Sequence, residues 1–237
     1  MYRDGWADNH GVRLHYLETG TASCSLPLVF LPGTFGYAED YIDEMSALAP
    51  RRCMAVSLRG RGRSDTPEVG YSFDDHVADF AVLVARSGLD RFAVMAYSMG
   101  VPYAIGYTLR HVDRVAGLIL GDYPARYRTL SPTWAERALA AMPERAKPLV
   151  AQALQRDATE VLLWDRLSEL RCPTLLLRGG QPGVMATGEV VERYRRHLPA
   201  LQVATLPDNG HELWRPDFAA YIGAVREFLQ QLDAPAP

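Results

Sequence analysis

The stretch Phe92-Ala93-Val94-Met95-Ala96-Tyr97-Ser98-Met99-Gly100 constrains this chain more than any other. Phe92 to Ala96 is a short apolar run with β-branched content, bounded by charge on its left, and reads as a strand buried on both faces. From Val101 to Arg110, small and apolar residues follow in a pattern that a helix can use. Pro102 fits only the first turn of such a helix, where its missing N–H costs little. Ser98 therefore falls on the turn between a buried strand and a helix. Ala96 and Gly100, two residues to either side, are both small, as a sharp turn with backbone packed against it requires. A turn of this kind holds the hydroxyl at the carboxyl edge of a sheet, and the Met99 N–H at the helix N-terminus points to the same space. An ordinary strand–turn–helix with a capping serine has the same small-x-Ser-x-Gly spelling, so the context must decide between the two.

The rest of the chain supplies that context. Val12 to Glu18 alternates as an early antiparallel strand would. Leu28–Leu31 and Cys53–Leu58 read as buried strands, with helical spacing at Tyr41, Met45 and Leu48 between them. Pro32–Gly33–Thr34–Phe35–Gly36 is a loop rich in turn formers. Arg59 to Asp65 is a second loop, and it lacks the spacing of a phosphate-binding loop. Phe73 to Ser87 is amphipathic, with Ser72 as its cap and Gly88 just past its end. Val115 to Leu120, Thr174 to Leu177 and Leu201 to Leu206 read as further strands, and helices are expected near Glu189–His197 and Phe218–Leu232. Between Pro124 and Leu170 the pattern is helical (about Thr133–Ala141 and Arg145–Leu163), with no strand signal. Strands alternating with helices predict an α/β fold with a mostly parallel central sheet covered by helices on both faces. The expected division is a core of residues 1–124 and 171–237 with a helical cap inserted at 125–170, at the edge of the sheet where ligands bind.

Length and charge exclude several classes. The 237 residues suit one domain with a sizeable core, and 48% are hydrophobic without any apolar run as long as a membrane span. The opening Met1–Asp8 is too polar for a secretory signal. A net charge of −3 argues against a general nucleic-acid binder. Cys24, Cys53 and Cys172 are widely spaced and odd in number, which predicts reduced thiols in a cytoplasmic protein. No metal-ligand spacing is present, and no cofactor is expected. Neither nucleic acid nor membrane is an expected partner; the expected state is a monomer or homodimer.

His211 follows the last strand in Leu206-Pro207-Asp208-Asn209-Gly210-His211-Glu212. A loop leaving the carboxyl end of a strand can reach the Ser98 turn, where imidazole could take the hydroxyl proton and return it to a leaving group. His10, His15, His76, His111 and His197 have no such position and read as ordinary surface or core residues.

Taken together, Leu31-Pro32-Gly33, Arg59-Gly60-Arg61-Gly62-Arg63-Ser64-Asp65, Ala96-Tyr97-Ser98-Met99-Gly100 and Asn209-Gly210-His211 make the sequence resemble the α/β-hydrolase superfamily over nearly all its length. The motifs in this order are specific to the fold and not to a reaction. The resemblance implies a serine nucleophile at Ser98, a histidine base at His211, and an oxyanion hole from the N–H groups of Met99 and Thr34. A serine there is unlike the aspartate-dependent dehalogenases of the same fold. One departure stands out. Relatives usually place the third catalytic group, an acid, after the seventh strand, where this chain reads Arg178-Gly179-Gly180-Gln181-Pro182-Gly183-Val184, with Gly183 at the acid position. Some members carry the acid after the sixth strand, and Asp122 occupies that place; relatives with the usual acid also have a structural aspartate there, but with no carboxylate at Gly183 Asp122 is the expected third catalytic group, within hydrogen-bond reach of His211 Nδ1.

Phe35, Tyr97, Tyr123, Tyr127, Trp134 and Trp164 are candidates to line an apolar pocket, although the cap aromatics could equally pack the cap onto the core. Arg126, Arg128, Arg137, Arg145, Lys147 and Arg156 could meet an anionic substrate, but interleaved carboxylates favour a solvated helix surface. The leading expectation is a hydrolase of a carboxylic ester or lactone, with a small-molecule acyl substrate. A cofactor-free lyase or isomerase using His211 alone, and a ligand-binding receptor on the same fold, remain the other classes.

Overall fold

The structure is a computed structural model that describes residues 2–20 and 25–234. Ten strands and seven α-helices are labelled here in chain order: β1 Tyr2–Asn9, β2 Val12–Thr19, β3 Leu28–Leu31, α1 Ile42–Ala47, β4 Cys53–Ser57, α2 Phe73–Ser87, β5 Phe92–Tyr97, α3 Gly100–Arg110, β6 Val115–Gly121, β7 Arg126–Tyr127, α4 Trp134–Ala141, α5 Pro148–Asp157, β8 Val161–Leu162, β9 Thr174–Gly179, α6 Gly188–His197, β10 Gln202–Leu206 and α7 Phe218–Asp233. Eight strands form one sheet in the order β1-β2-β4-β3-β5-β6-β9-β10. The β1–β2 and β2–β4 pairs are antiparallel, and every pair from β4 to β10 is parallel.

The apolar runs are buried because helices cover both faces of the parallel part. Alternate residues divide between two cores. Val29, Leu31, Val94 and Ala96 face the core beneath α2 and α3, whereas Leu28, Phe30, Ala93 and Met95 face the core beneath α1 and α7. Helix α2 begins at Ser72, whose side chain accepts from the Asp75 N–H, and ends at Gly88, which takes the left-handed conformation at φ 69°.

Four features differ from expectation. Strand β1 carries Arg3, Asp4 and Asp8 on a half-exposed edge and so lacks the apolar alternation that marks a strand. Residues 125–170 contain a two-stranded antiparallel ribbon, β7 with β8, too short to leave a sequence pattern. Helix α5 spans Pro148–Asp157 rather than the longer stretch expected, because Pro148 is its first residue and Lys147 before it is extended. The segment expected to be helical around Tyr41 also divides, into a 3-10 turn at Ala38–Tyr41 and then α1. Cys53 and Cys172 are free, and burial pushes their thiols up to about 12 and about 11; Cys24 lies outside the described residues. Among the described residues, no helix is long and apolar enough to cross a membrane.

The arginine-rich loop after β4 is clamped from below. Arg59 bonds the buried Asp79 of α2 through Nε at 2.7 Å, a terminal nitrogen at 2.6 Å and its backbone N–H at 3.2 Å, and Asn9 adds a fourth donor to Asp79 at 2.8 Å. From that clamp Arg61 reaches over to donate to the Thr34 carbonyl at 2.9 Å. Removing one member of a buried pair leaves the other charge unmet. Asp79→Ala should therefore lower the unfolding free energy by about 3–5 kcal/mol in urea titrations. A loss below ~1 kcal/mol, the value of an exposed pair, would show that the clamp does not hold this loop.

Candidate active site

Ser98 follows β5 directly and has φ +51°, a left-handed conformation that is unusual for a non-glycine residue. Its N–H donates to the Gly121 carbonyl of β6 at 2.9 Å, and its own carbonyl accepts from Val101 at 2.9 Å as α3 begins. The turn is sharp because backbone crosses close behind it. A Cβ on Gly100 would sit 2.5 Å from the Pro32 carbonyl oxygen and 2.7 Å from that of Leu31. Ala96, two residues before Ser98, is fully buried beside β6, and Gly121 leaves that side open.

Asp122 follows β6 as Ser98 follows β5, again left-handed at φ +44°. Its carboxylate is fully buried. Oδ1 accepts from the Ala186 N–H at 3.0 Å, and Oδ2 accepts from the Met185 N–H at 2.9 Å. The loop after β9, which carries no acid, thus supplies the donors that hold this one.

His211 completes the arrangement. Its Nδ1 lies 2.7 Å from Asp122 Oδ2, and its Nε2 lies 3.2 Å from Ser98 Oγ. A carboxylate on the Nδ1 side keeps the proton there, which leaves Nε2 as the acceptor facing the hydroxyl. The loop that carries His211 is braced by buried Asn209, which donates to the carbonyls of Leu213 at 2.7 Å and Asp217 at 3.1 Å. Gly179 leaves room for that loop, since a side chain there would strike the carbonyls of Asn209 and Gly210. The Tyr97 ring lies 5.1 Å from the imidazole, and burial pushes the Tyr97 hydroxyl well above its usual range.

Ser98 and His211 open into a cavity of about 670 Å³, with Asp122 buried behind them. Its walls are the loop after β3 (Pro32 to Gly36), Asp40 to Glu44, Tyr97, the loop after α4 (Met142, Arg145) and the segment from His211 to Phe218. Neither the Thr34 N–H nor the Met99 N–H donates to any other group among the described residues. No group of three His, Cys, Asp or Glu side chains among the described residues could hold a metal.

Of the aromatic residues expected at the pocket, Phe35 and Tyr97 line it. Tyr123, Tyr127, Trp134 and Trp164 do not, which corrects that expectation. Trp134 stacks behind Phe35, Tyr127 packs on Phe73 and Tyr103, and Trp164 packs edge-on against Tyr194, whose hydroxyl donates to the Tyr123 carbonyl at 3.0 Å. They attach residues 125–170 to the core. Arg145 does line the cavity, but both its terminal nitrogens are held by Asp40, at 2.7 and 2.8 Å. Glu44, Trp214 and Phe218 were not foreseen. A signal existed for Glu44: it falls on the apolar face marked by Tyr41, Met45 and Leu48, where a carboxylate needs a reason.

This fold, with a serine–histidine–aspartate cluster at the carboxyl edge of its sheet, defines a class, and the alpha/beta hydrolase fold family model matches residues 27–149. The chain belongs to that family, whose relatives are hydrolases. It is 27% identical to N-formylmaleamate deformylase of Pseudomonas putida, over 93% of this chain and 94% of that protein. It is 32% identical to haloalkane dehalogenase 2 of Mycobacterium tuberculosis, over 51% of this chain and 42% of that protein. Among solved structures, a thermophilic esterase from Thermogutta terrifontis superposes with a TM-score of 0.82 at 23% identity, covering 98% of this chain and all of that one. At this identity the likeness shows the fold alone.

Gly100→Ala tests the turn. The obstructing atoms are carbonyl oxygens that cannot swing aside, so overpacking on the order of 1–3 kcal/mol is expected in unfolding free energy. A variant as stable as the parent would show that the Pro32 loop yields.

Proposed function

We propose that this protein hydrolyses a carboxylic ester or lactone through an acyl-enzyme on Ser98. The observation that carries the reading is the continuous hydrogen-bonded chain from Ser98 Oγ through His211 to Asp122, opening into the cavity. His211 Nε2 takes the hydroxyl proton as Oγ attacks the acyl carbon. The Thr34 and Met99 N–H groups, free of other acceptors, face the oxyanion that forms. Collapse of the tetrahedral intermediate breaks the bond to the alcohol oxygen, which leaves with the proton from Nε2. Water then attacks the acyl group, His211 again takes a proton, and the acid departs as Ser98 regains its hydrogen. Asp122 holds the imidazole in one tautomer and meets the charge of the imidazolium. Residues 125–170 act as a cap that contributes Met142 and Arg145 to the cavity wall. The deformylase relative keeps amide substrates in view, because the same residues serve acyl transfer from nitrogen.

Treatment with a serine-directed phosphonate should leave one adduct, on the peptide containing Ser98, and Ser98→Ala should lose on the order of 10⁴ or more in aryl-ester turnover with its fold intact. Turnover of the true substrate by Ser98→Ala at the original rate would instead favour a lyase or isomerase that uses His211 alone.

Asp122→Asn separates the two roles open to this residue. As the third member of a triad, its loss should lower kcat by roughly 10³–10⁴ with the serine still reactive to the phosphonate. An unchanged kcat in a folded variant would make Asp122 purely structural.

A further inference from the structure

Glu44 is buried in the wall of the cavity without a counter-ion. Its residue is 4% exposed, yet it borders the same space as Ser98 and His211. The Tyr221 hydroxyl, which donates to Met95 Sδ at 3.8 Å, lies beside it, and no cation among the described residues acts on it. Burial, with Asp43 and Asp40 nearby, pushes its carboxyl up to about 7. Buried charges in folded proteins are paired, or they neutralise themselves at a cost. An unpaired carboxyl facing an open cavity is the complement of a positive charge on whatever enters it.

The remaining walls agree. Tyr41, Tyr97, Trp214 and Phe218 give the cavity aromatic faces, which attract organic cations through the ring quadrupole. Asp43 and Glu212 add negative charge at exposed positions. Of the two cations on the wall, Arg145 is held by both oxygens of Asp40, and Arg215 is exposed. No buried, unengaged cation among the described residues lines the cavity to receive a carboxylate.

We propose that Glu44 is the anionic anchor of the cavity and that the substrate carries an organic cation, an ammonium group seated among these aromatic rings. This inference rests on the acyl-transfer reading of the same cavity. The groups that face Glu44 are Asp40 and Asp43 from its own segment, Tyr41, and Tyr221 from α7; Tyr97 from the end of β5 faces the two tyrosines. The tyrosines stay neutral at ordinary pH because burial holds their hydroxyls above the usual range. Glu44 is the member of this group that changes charge near neutrality: below about 7 it is protonated, and above it the carboxylate forms.

The test compares acetylcholine with its neutral isostere, 3,3-dimethylbutyl acetate. Binding to the Ser98→Ala protein is measured by calorimetry, so that turnover does not enter. Acetylcholine should bind at least about tenfold tighter at pH 8. That preference should fall by about tenfold towards pH 6 as Glu44 takes up its proton. Glu44→Gln, made in the same background, should reduce the preference to less than about twofold and flatten its pH dependence; His211 and Glu212 remain intact in that variant. If Glu44→Gln does not fold, the pH dependence of the parent preference decides alone. Equal or weaker binding of the cation at pH 8, absence of saturable cation binding, or a preference that does not change with pH would overturn the proposal. The two readings fail separately. A cation preference in a protein that the phosphonate never labels removes the acyl-enzyme and keeps the anchor, and a labelled enzyme without cation preference does the reverse.

Discussion

A carboxylate taken wholly out of water must be met by donors, and the site is built around meeting that of Asp122. Two come from the backbone of the loop after β9, and the third is the ring N–H of His211. The energetic asymmetry is large, because an unmet buried charge costs several kcal/mol while each bond that meets it contributes about 1.5–3. Three separate segments are therefore pinned to one point: the end of β6, the 185–186 turn and the loop after β10. The imidazole takes its orientation from that point, and the direction of Nε2 towards Ser98 follows.

Much of this was legible in the residues. The strand–serine–helix turn follows from an apolar run, two small flanking residues and a proline tolerated only in a first turn. The apolar strands stand close to where their runs begin and end, because a strand buried on both faces leaves an unmixed signal. Asp122 within reach of His211 Nδ1 was suggested by the lack of a carboxylate near Gly183. The donors that replace that carboxylate were not legible, since Met185 and Ala186 act through backbone N–H groups that every residue but proline possesses. The cap aromatics were ambiguous for a related reason. Trp164 and Tyr127 look alike whether they face a ligand or a helix, and only the packing of Tyr194 and Tyr103 against them decides. The ribbon of β7 and β8 has two residues per strand, too few for any period to show.

The cavity also keeps the hydrogen-bonded cluster apart from the groups that give its wall its charge. Ser98, Asp122 and His211 sit at strand ends and on loops anchored to them, while the charged groups of the cavity wall sit on α1, on the loop after α4 and beside α7. Fold and family thus define a hydrolase without specifying the compound it acts on. Arg145 illustrates the separation: a cation stands on the wall, but Asp40 has already engaged both its terminal nitrogens, so the wall gains shape rather than positive charge.

The backbone amides of the site divide into two populations with opposite fates in deuterated solvent. The Ser98 N–H bonds Gly121 and the Asp122 N–H bonds Leu177, so each continues the parallel ladder one residue beyond its strand. Those hydrogens exchange only when the central sheet opens, with the free energy of its cooperative unit. The Thr34 and Met99 amides have no acceptor among the described residues and exchange readily whenever solvent reaches them. The site thus lies on a seam, with Ser98 and Asp122 tied into the ladder of the sheet and the Thr34 and Met99 amides outside it. A bound anionic mimic that slowed exchange at Thr34 and Met99 alone, with Ser98 and Asp122 unchanged, would trace that seam residue by residue.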